Sequence, residues 1–170
     1  MTVTPERWRP AYVGVGSNLD APRDRVTTAL DDLAKHADVR AFQASDLWCS
    51  APVGTGPQPD YINAVAGFLW PGSPDTLLEM LLRLEREHGR VRDGVRWAPR
   101  RLDLDLLLLS DVVTDNPQLT LPHPRMTQRA FVLRPLATLA PTLTVPGHGM
   151  VSTLLGAVSD QRIACLGDFA

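Results

Sequence analysis

Two aspartates one residue apart, Asp103 and Asp105, open an apolar run from Leu102 to Leu109. The run reads as a strand, and in a strand side chains two apart share a face. Both carboxylates therefore point the same way. Just before them the chain reads RVRDGVRWAPRR, with Arg90, Arg92, Arg96, Arg100 and Arg101 crowded around Gly94 and Pro99. That stretch is a loop, because the glycine and the proline break any periodicity. Paired carboxylates suit a hard divalent cation, and guanidinium forks suit phosphate oxygens. Together they point to a site for a magnesium-bound polyphosphate. On an exposed face an Asp-x-Asp pair is ordinarily a solvated edge. Here like charges at the entry of an apolar strand would repel unless neutralised, and the arginines exceed what that pair needs.

The elements that position this stretch follow from periodicity. Ala11 to Gly16 reads as a first strand of small residues. Ser17 to Leu19 then turn the chain, either as a plain strand-to-helix turn or as a phosphate nest. A helix follows with Pro22 at its first position, preceded by Asp20 or Ala21 with Asp20 the better cap, and Val26, Ala29, Leu30 and Leu33 form its apolar stripe. Val39 to Cys49 reads as one strand, with Phe42, Ala44, Asp46 and Trp48 alternating. Ser50 to Asp60 is a Pro/Gly-rich loop. Tyr61 to Trp70 is a third strand that carries Tyr61, Asn63, Val65 and Gly67 on one face. Asn63 is disfavoured in a strand; it either anchors a loop or meets a ligand with a donor and an acceptor edge.

Ser73 caps a second helix with Pro74 first, Leu77, Leu78, Leu81 and Leu84 form its stripe, and Gly89 ends it. Glu85 interrupts that stripe. It either pairs with Arg92 or Arg96, or holds an arginine in position for phosphate. Beyond the acidic strand come a short extended piece before Thr120, a stiff loop with His123 between prolines, a short helix from Val132 to Leu139, a second from Val151 to Val158, and a tail. The order strand, helix, strand, strand, helix, strand is the βαββαβ plan of a ferredoxin-like α+β sandwich: an antiparallel sheet with helices on one face, here with a C-terminal helical extension.

Composition narrows the function. Hydrophobic content of 44% and charged content of 21% are globular values, and a net charge of −2 with pI near 6.0 argues against nucleic-acid or anionic-membrane binding. Two cysteines are too few for a disulfide framework, and neither a secretory signal nor a membrane-spanning run is visible. The expectation is a cytoplasmic monomer: a flexible arm over residues 1–10, then one domain over residues 11–170. An RNA-binding ferredoxin-like module would share the strand order, but its aromatic signature is missing. A metabolite-binding regulatory domain and a different nucleotide-dependent kinase are the other rivals.

Several separated segments closely resemble one family. They are AYVGVGSNL, the P-V-G loop followed by QPDYINA, E-x-x-x-G-R-V-R, RWAPRRLDLDLL from Arg96 to Leu107, and L-P-H followed by M-x-x-R-x-F. The family is the 6-hydroxymethyl-7,8-dihydropterin pyrophosphokinases of folate biosynthesis, and the resemblance runs from Ala11 to about Pro141. It implies transfer of pyrophosphate from ATP to the pterin hydroxymethyl group, releasing AMP. It implies two magnesium ions on Asp103 and Asp105, with Arg90, Arg92 and Asp105 catalytic. Arg90, Arg92, Arg100, His123 and Arg129 would contact the triphosphate, and Trp97 would close over the site with the arginine loop. Ser50, Pro52, Val53, Tyr61, Asn63, Trp97 and Phe131 would form the pterin pocket. Glu85 would support the nucleotide side, and adenine would rest near Leu106, Leu119 and Thr120. The sequence departs from the family pattern at Cys49, Ala51, Leu82 and Pro124.

Overall fold

The computed structural model describes residues 7–54, 56–89 and 102–167. Strand β1 (Arg9–Ser17) leads into helix α1 (Pro22–Lys35), and strands β2 (Arg40–Ala44), β3 (Leu47–Ser50) and β4 (Tyr61–Trp70) follow. Helix α2 (Pro74–Glu87) precedes strand β5 (Asp103–Leu109). The hairpin of β6 (Thr114–Asp115) and β7 (Thr120–Leu121) comes next, then helix α3 (Ala130–Leu139). The chain ends with the hairpin of β8 (Thr144–Val145) and β9 (Gly149–Met150), the short helix α4 (Val151–Leu154) and strand β10 (Ile163–Gly167). The main sheet is antiparallel throughout and runs β10, β3, β4, β1, β5, with β2 also on β4. That is the expected ferredoxin-like order with its second strand in two pieces.

Strand alternation gives the sheet two different faces. Ala11, Val13 and Val15 of β1, Ala64, Ala66 and Phe68 of β4, and Leu104 and Leu106 of β5 all point to one side. There they meet the stripes of α1 (Val26, Ala29, Leu30, Leu33) and α2 (Leu77, Met80, Leu81, Leu84). Each Val, Leu, Met or Phe side chain here contributes roughly 1.5–3 kcal/mol on burial, so this layer is the main source of stability. The opposite face carries Val65 and Leu107, covered by Val132 and Leu136 of α3. The two helices of the βαββαβ plan thus share one face as expected, and the C-terminal helical extension covers part of the other. A bulge opposite Tyr12 and Val13 lets Leu107 and Leu108 both join this second cluster before Leu109 returns to the first.

Local physics explains where other boundaries moved. The expected single strand from Val39 to Cys49 breaks at Ser45 and Asp46. Buried Ser45 bonds Val65 twice, its N–H donating to the Val65 carbonyl and its Oγ accepting from the Val65 N–H, both at 2.9 Å. One residue thereby uses both polar groups of its partner and interrupts the ladder. Asp20 does not cap α1. The N-cap is Ala21, with no side-chain cap bond, and both residues are left-handed (φ 52° and 58°). Asp20 instead offers its carbonyl to Arg25 Nε at 3.0 Å. Ser73 does cap α2, accepting from the Thr76 N–H at 3.2 Å, and Gly89 follows the helix at φ 79°.

Among the described residues the sheet reaches further toward both ends than expected. Arg9 and Pro10, placed in the arm, belong to β1, and the Arg40 guanidinium lies 3.9 Å over the Trp8 ring. The stretch read as tail contains β10, which pairs with β3. Its sequence IACLG has no alternation to signal a strand. The third helix starts at Ala130 rather than Val132, and the last expected helix is one α turn followed by a 3-10 turn over Leu155–Val158.

Candidate active site

The face away from α1 and α2 is not fully covered, and a hollow of about 380 Å³ remains beside α3. Its floor is β1. Gly14 lies opposite Asp105 and Gly16 opposite Asp103 on one side; on the other side Gly14 pairs with Val65 and Gly16 with Asn63. Side chains at 14 and 16 would fill this space, and glycine leaves it open. A Cβ at Gly16 would lie 3.1 Å from Asn63 Oδ1. The carboxylates of Asp103 and Asp105 stand on one wall, partly exposed, as the two-residue spacing required.

Asn63 is 5% exposed, and its Nδ2 donates to Ser50 Oγ at 2.8 Å. That bond fixes the amide plane, so the remaining donor and the carbonyl oxygen keep a fixed orientation. Both alternatives for Asn63 thus have support: it anchors the start of the loop at Ser50, and it lines the hollow. Tyr61, Phe131 and Val53 add apolar wall, and Val53 is 51% exposed at the rim. Pro52 sits half-buried beside it in the same loop. Two of the departures from the family pattern, Ala51 and Pro124, also line the hollow. Cys49 lies on β3 with its Sγ 3.8 Å from Asp60 Oδ2. Burial and then the Asp60 charge push its thiol pKa up, so it stays a neutral thiol.

Positive charge enters from the segment before α3. Arg129 Nη1 stands 3.9 Å from Asp105 Oδ2, and its guanidinium is 5.4 Å from the Phe131 ring centre. His123 faces the same place. Burial lowers its pKa to about 4, assisted by the Arg129 charge and opposed by Asp103. It is therefore neutral near pH 7. Its Nδ1 accepts from the Arg125 N–H at 3.2 Å, which assigns the proton to Nε2 and leaves that N–H as the donor.

A second hollow of about 300 Å³ opens on the α2 side. Leu106, Leu119 and Thr120 line it, together with Leu78, Leu82 and Glu85. Asp103, Asp105, His123 and Pro124 line both hollows, so the two meet at the acidic pair. Glu85 is only 2% exposed and its Oε1 accepts from the Leu104 N–H at 2.8 Å. Leu104 lies between the two aspartates, so this carboxylate holds the strand that presents them. Arg90, Arg92, Trp97 and Arg100 lie outside the described residues.

Several contributors were not expected from the sequence. Gly14 and Gly16 looked like packing residues; their role in the floor needed the register of three strands. Arg125 and Val132 line the hollow without any motif to mark them. Asn18, in the turn that could have been a phosphate nest, is 1% exposed and ties that turn to the pterin-loop candidate. Its Nδ2 donates to Gln58 Oε1 at 3.3 Å and to the Pro59 carbonyl at 3.1 Å.

Among the described residues no group of three or more His, Cys, Asp or Glu side chains forms an all-protein cage. Two adjacent carboxylates at the junction of two hollows suit magnesium, which dehydrates reluctantly and takes most of its ligands from water and substrate phosphate. The residues present fit that ion. No helix among the described residues is long and apolar enough to cross a membrane.

Comparison with known proteins identifies the family. Residues 12–141 match the family model of the 7,8-dihydro-6-hydroxymethylpterin-pyrophosphokinases. A Pseudomonas aeruginosa 2-amino-4-hydroxy-6-hydroxymethyldihydropteridine pyrophosphokinase is 44% identical over 89% of this chain and 93% of its own length. The Haemophilus influenzae protein of that name is 38% identical over 90% of this chain and 95% of its own. A crystal structure of Plasmodium falciparum HPPK-DHPS superimposes with a TM-score of 0.69 at 11% identity. It covers 91% of this chain and 46% of the longer one, and it supports the fold alone.

Proposed function

This chain belongs to the 7,8-dihydro-6-hydroxymethylpterin-pyrophosphokinase family, and on that premise we propose how its residues divide the work of moving pyrophosphate from ATP to the hydroxymethyl group of the dihydropterin, in folate biosynthesis. The observation that carries the assignment is the meeting of two hollows at Asp103, Asp105 and His123. A transfer between two substrates needs two sites that converge where the bond is made.

The hollow beside α3 takes the pterin. Tyr61 and Phe131 hold the flat ring, and Asn63, oriented by Ser50, reads its polar edge. Ser50, Pro52 and Val53 form the loop side. The hollow on the α2 side takes the nucleotide, with adenine against Leu106, Leu119 and Thr120 and with Glu85 steadying the strand beneath. The triphosphate then runs across the acidic pair toward the pterin hydroxymethyl oxygen. That oxygen attacks the β-phosphorus in line and AMP leaves.

Asp103 and Asp105 would hold magnesium, two ions in the full assignment. When bound, it neutralises phosphate oxygens and fixes their geometry. Arg129 is already beside Asp105 and can turn to phosphate once that carboxylate is engaged. Neutral His123 offers Nε2–H to a phosphate oxygen without adding charge repulsion toward Arg129. Arg90, Arg92, Arg100 and Trp97 are assigned from sequence as the loop that closes over the phosphates and excludes water. Phosphoryl-type transfer asks a protein mainly for such positioning and charge stabilisation. The chain is proposed to act as a cytoplasmic monomer with a single domain that begins at β1.

The test is incubation with ATP, magnesium and the hydroxymethyl dihydropterin, with nucleotide products separated. AMP and a pterin diphosphate are expected. ADP would select an ordinary kinase, and no nucleotide turnover would reduce the protein to a binding domain.

A further inference from the structure

Helix α3 begins in an unusual way. Its N-cap is Arg129 (φ −124°, ψ 112°), whose side chain makes no cap hydrogen bond. Caps are ordinarily Ser, Thr, Asp or Asn, because the side chain must accept from the free N–H groups of the first turn. A guanidinium can only donate. The position best placed for a cap is thus occupied by a residue aimed at Asp105.

The missing acceptor comes from far along the chain. Gln161 Oε1 accepts from the Ala130 N–H at 2.8 Å, and Gln161 Nε2 donates to the Gln128 carbonyl at 2.8 Å. One amide therefore bridges the backbone on both sides of Arg129. Gln161 is itself held, since its N–H donates to the Val158 carbonyl at 3.1 Å and β10, which starts two residues later, is paired to β3. It lines neither of the two hollows.

We propose that Gln161 is a positioning residue for the reaction: its side-chain amide fixes the backbone around Arg129 and so sets where the guanidinium meets the triphosphate. The inference rests on the assignment of Arg129 to phosphate made above. It explains why an exposed glutamine in an irregular segment makes two short bonds to one stretch of backbone. It also gives the C-terminal segment a part in catalysis, although that segment lies beyond the family match at residue 141.

A double-mutant cycle with Gln161→Leu and Arg129→Ala tests this, reading kcat/KM for ATP. Leucine removes both bonds, one part-buried and one exposed, and an expected loss of about fivefold follows in the otherwise native enzyme. In the Arg129→Ala background Gln161→Leu should then cost almost nothing, because the group it positions is gone. Equal fractional losses in both backgrounds would overturn the proposal and leave Gln161 a plain helix cap; so would no loss in the native background. Should Gln161→Leu fail to fold by thermal melting, Gln161→Glu enters the same cycle. It keeps the acceptor for Ala130, loses the donor to Gln128, and must show the same dependence on Arg129. If Arg129→Ala alone leaves ATP kinetics unchanged, the phosphate assignment falls first and the inference with it. The single variants therefore tell the two failures apart.

Discussion

Replacing Gly14 by alanine should separate stability from activity. A Cβ at Gly14 would meet Leu107 Cδ2 at 3.7 Å and the Asp105 Cβ at 3.8 Å, which are ordinary contact distances. No positive φ demands glycine there. Alanine in a strand interior is therefore expected to stabilise by about 0.5–1 kcal/mol relative to glycine. For a domain of this size that raises Tm by roughly 2–4 °C per kcal/mol. The same methyl, however, rises from the floor of the hollow between Asp105 and Val65. Overpacking a fitted site costs about 1–3 kcal/mol, so pterin affinity should fall about 5- to 150-fold. Gly16→Ala provides the contrast. Its Cβ would come within 3.1 Å of Asn63 Oδ1 and push the amide off Ser50, so it should lose affinity and stability together. Calorimetric melting and pterin titration in the presence of a non-hydrolysable magnesium–ATP analogue measure both quantities. A Gly14→Ala protein that binds pterin normally would refute the placement of the ring over β1.

Asp105→Asn should lower the rate by a factor of about 100 or more with little change in Tm, since a partly exposed carboxylate aimed at the ligand contributes charge rather than packing; near-normal AMP release would remove the metal assignment. Glu85→Leu should cost about 1–3 kcal/mol by leaving the Leu104 N–H without its acceptor, whereas Glu85→Gln keeps an acceptor oxygen and should cost less; urea unfolding compares them. His123 supplies a pH signature. Its folded pKa of about 4 lies below the ordinary 6.5, so between those values the unfolded chain binds more protons. Stability should therefore fall as pH drops through that window, by up to about 3 kcal/mol, with the full benefit present above pH 6.5. His123→Gln should flatten that part of the profile in the ligand-free protein, and an NMR titration of His123 near 6.5 would contradict it.

Much of this molecule was legible in the chain because its strongest signals are local. Pro22, Ser73 with Pro74, and Gly89 mark helix ends through backbone constraints that need no partner. The alternation of Leu102–Leu109 placed both aspartates on one face without knowledge of the sheet. What could not be read depended on distant groups. Ser45 breaks a strand only because Val65 is opposite it. Asp20 fails as a cap because the turn before α1 is left-handed. Glu85 also accepts from a strand backbone 19 positions on, a bond that nothing near it in the sequence signals. Gly14 and Gly16 became floor residues only once two neighbouring strands supplied the walls. Ile163–Gly167, apolar without alternation, became a strand because β3 offered an unpaired edge.

The interruption at Ser45 and Asp46 has a consequence for sequence drift. Phe42 and Ala44 pack with the helix-covered layer, and so does Leu47, three positions after Ala44. Continuous alternation would have sent Leu47 to the opposite side. The extra step reverses parity, and that reversal delivers Ser50 to Asn63. Losing one residue here would leave two good strands and the same hydrophobic content, yet turn Ser50 into the scaffold and leave the asparagine without its guide. Length in this corner is therefore under tighter constraint than composition: point changes at the exposed positions can be absorbed, but a codon gained or lost cannot.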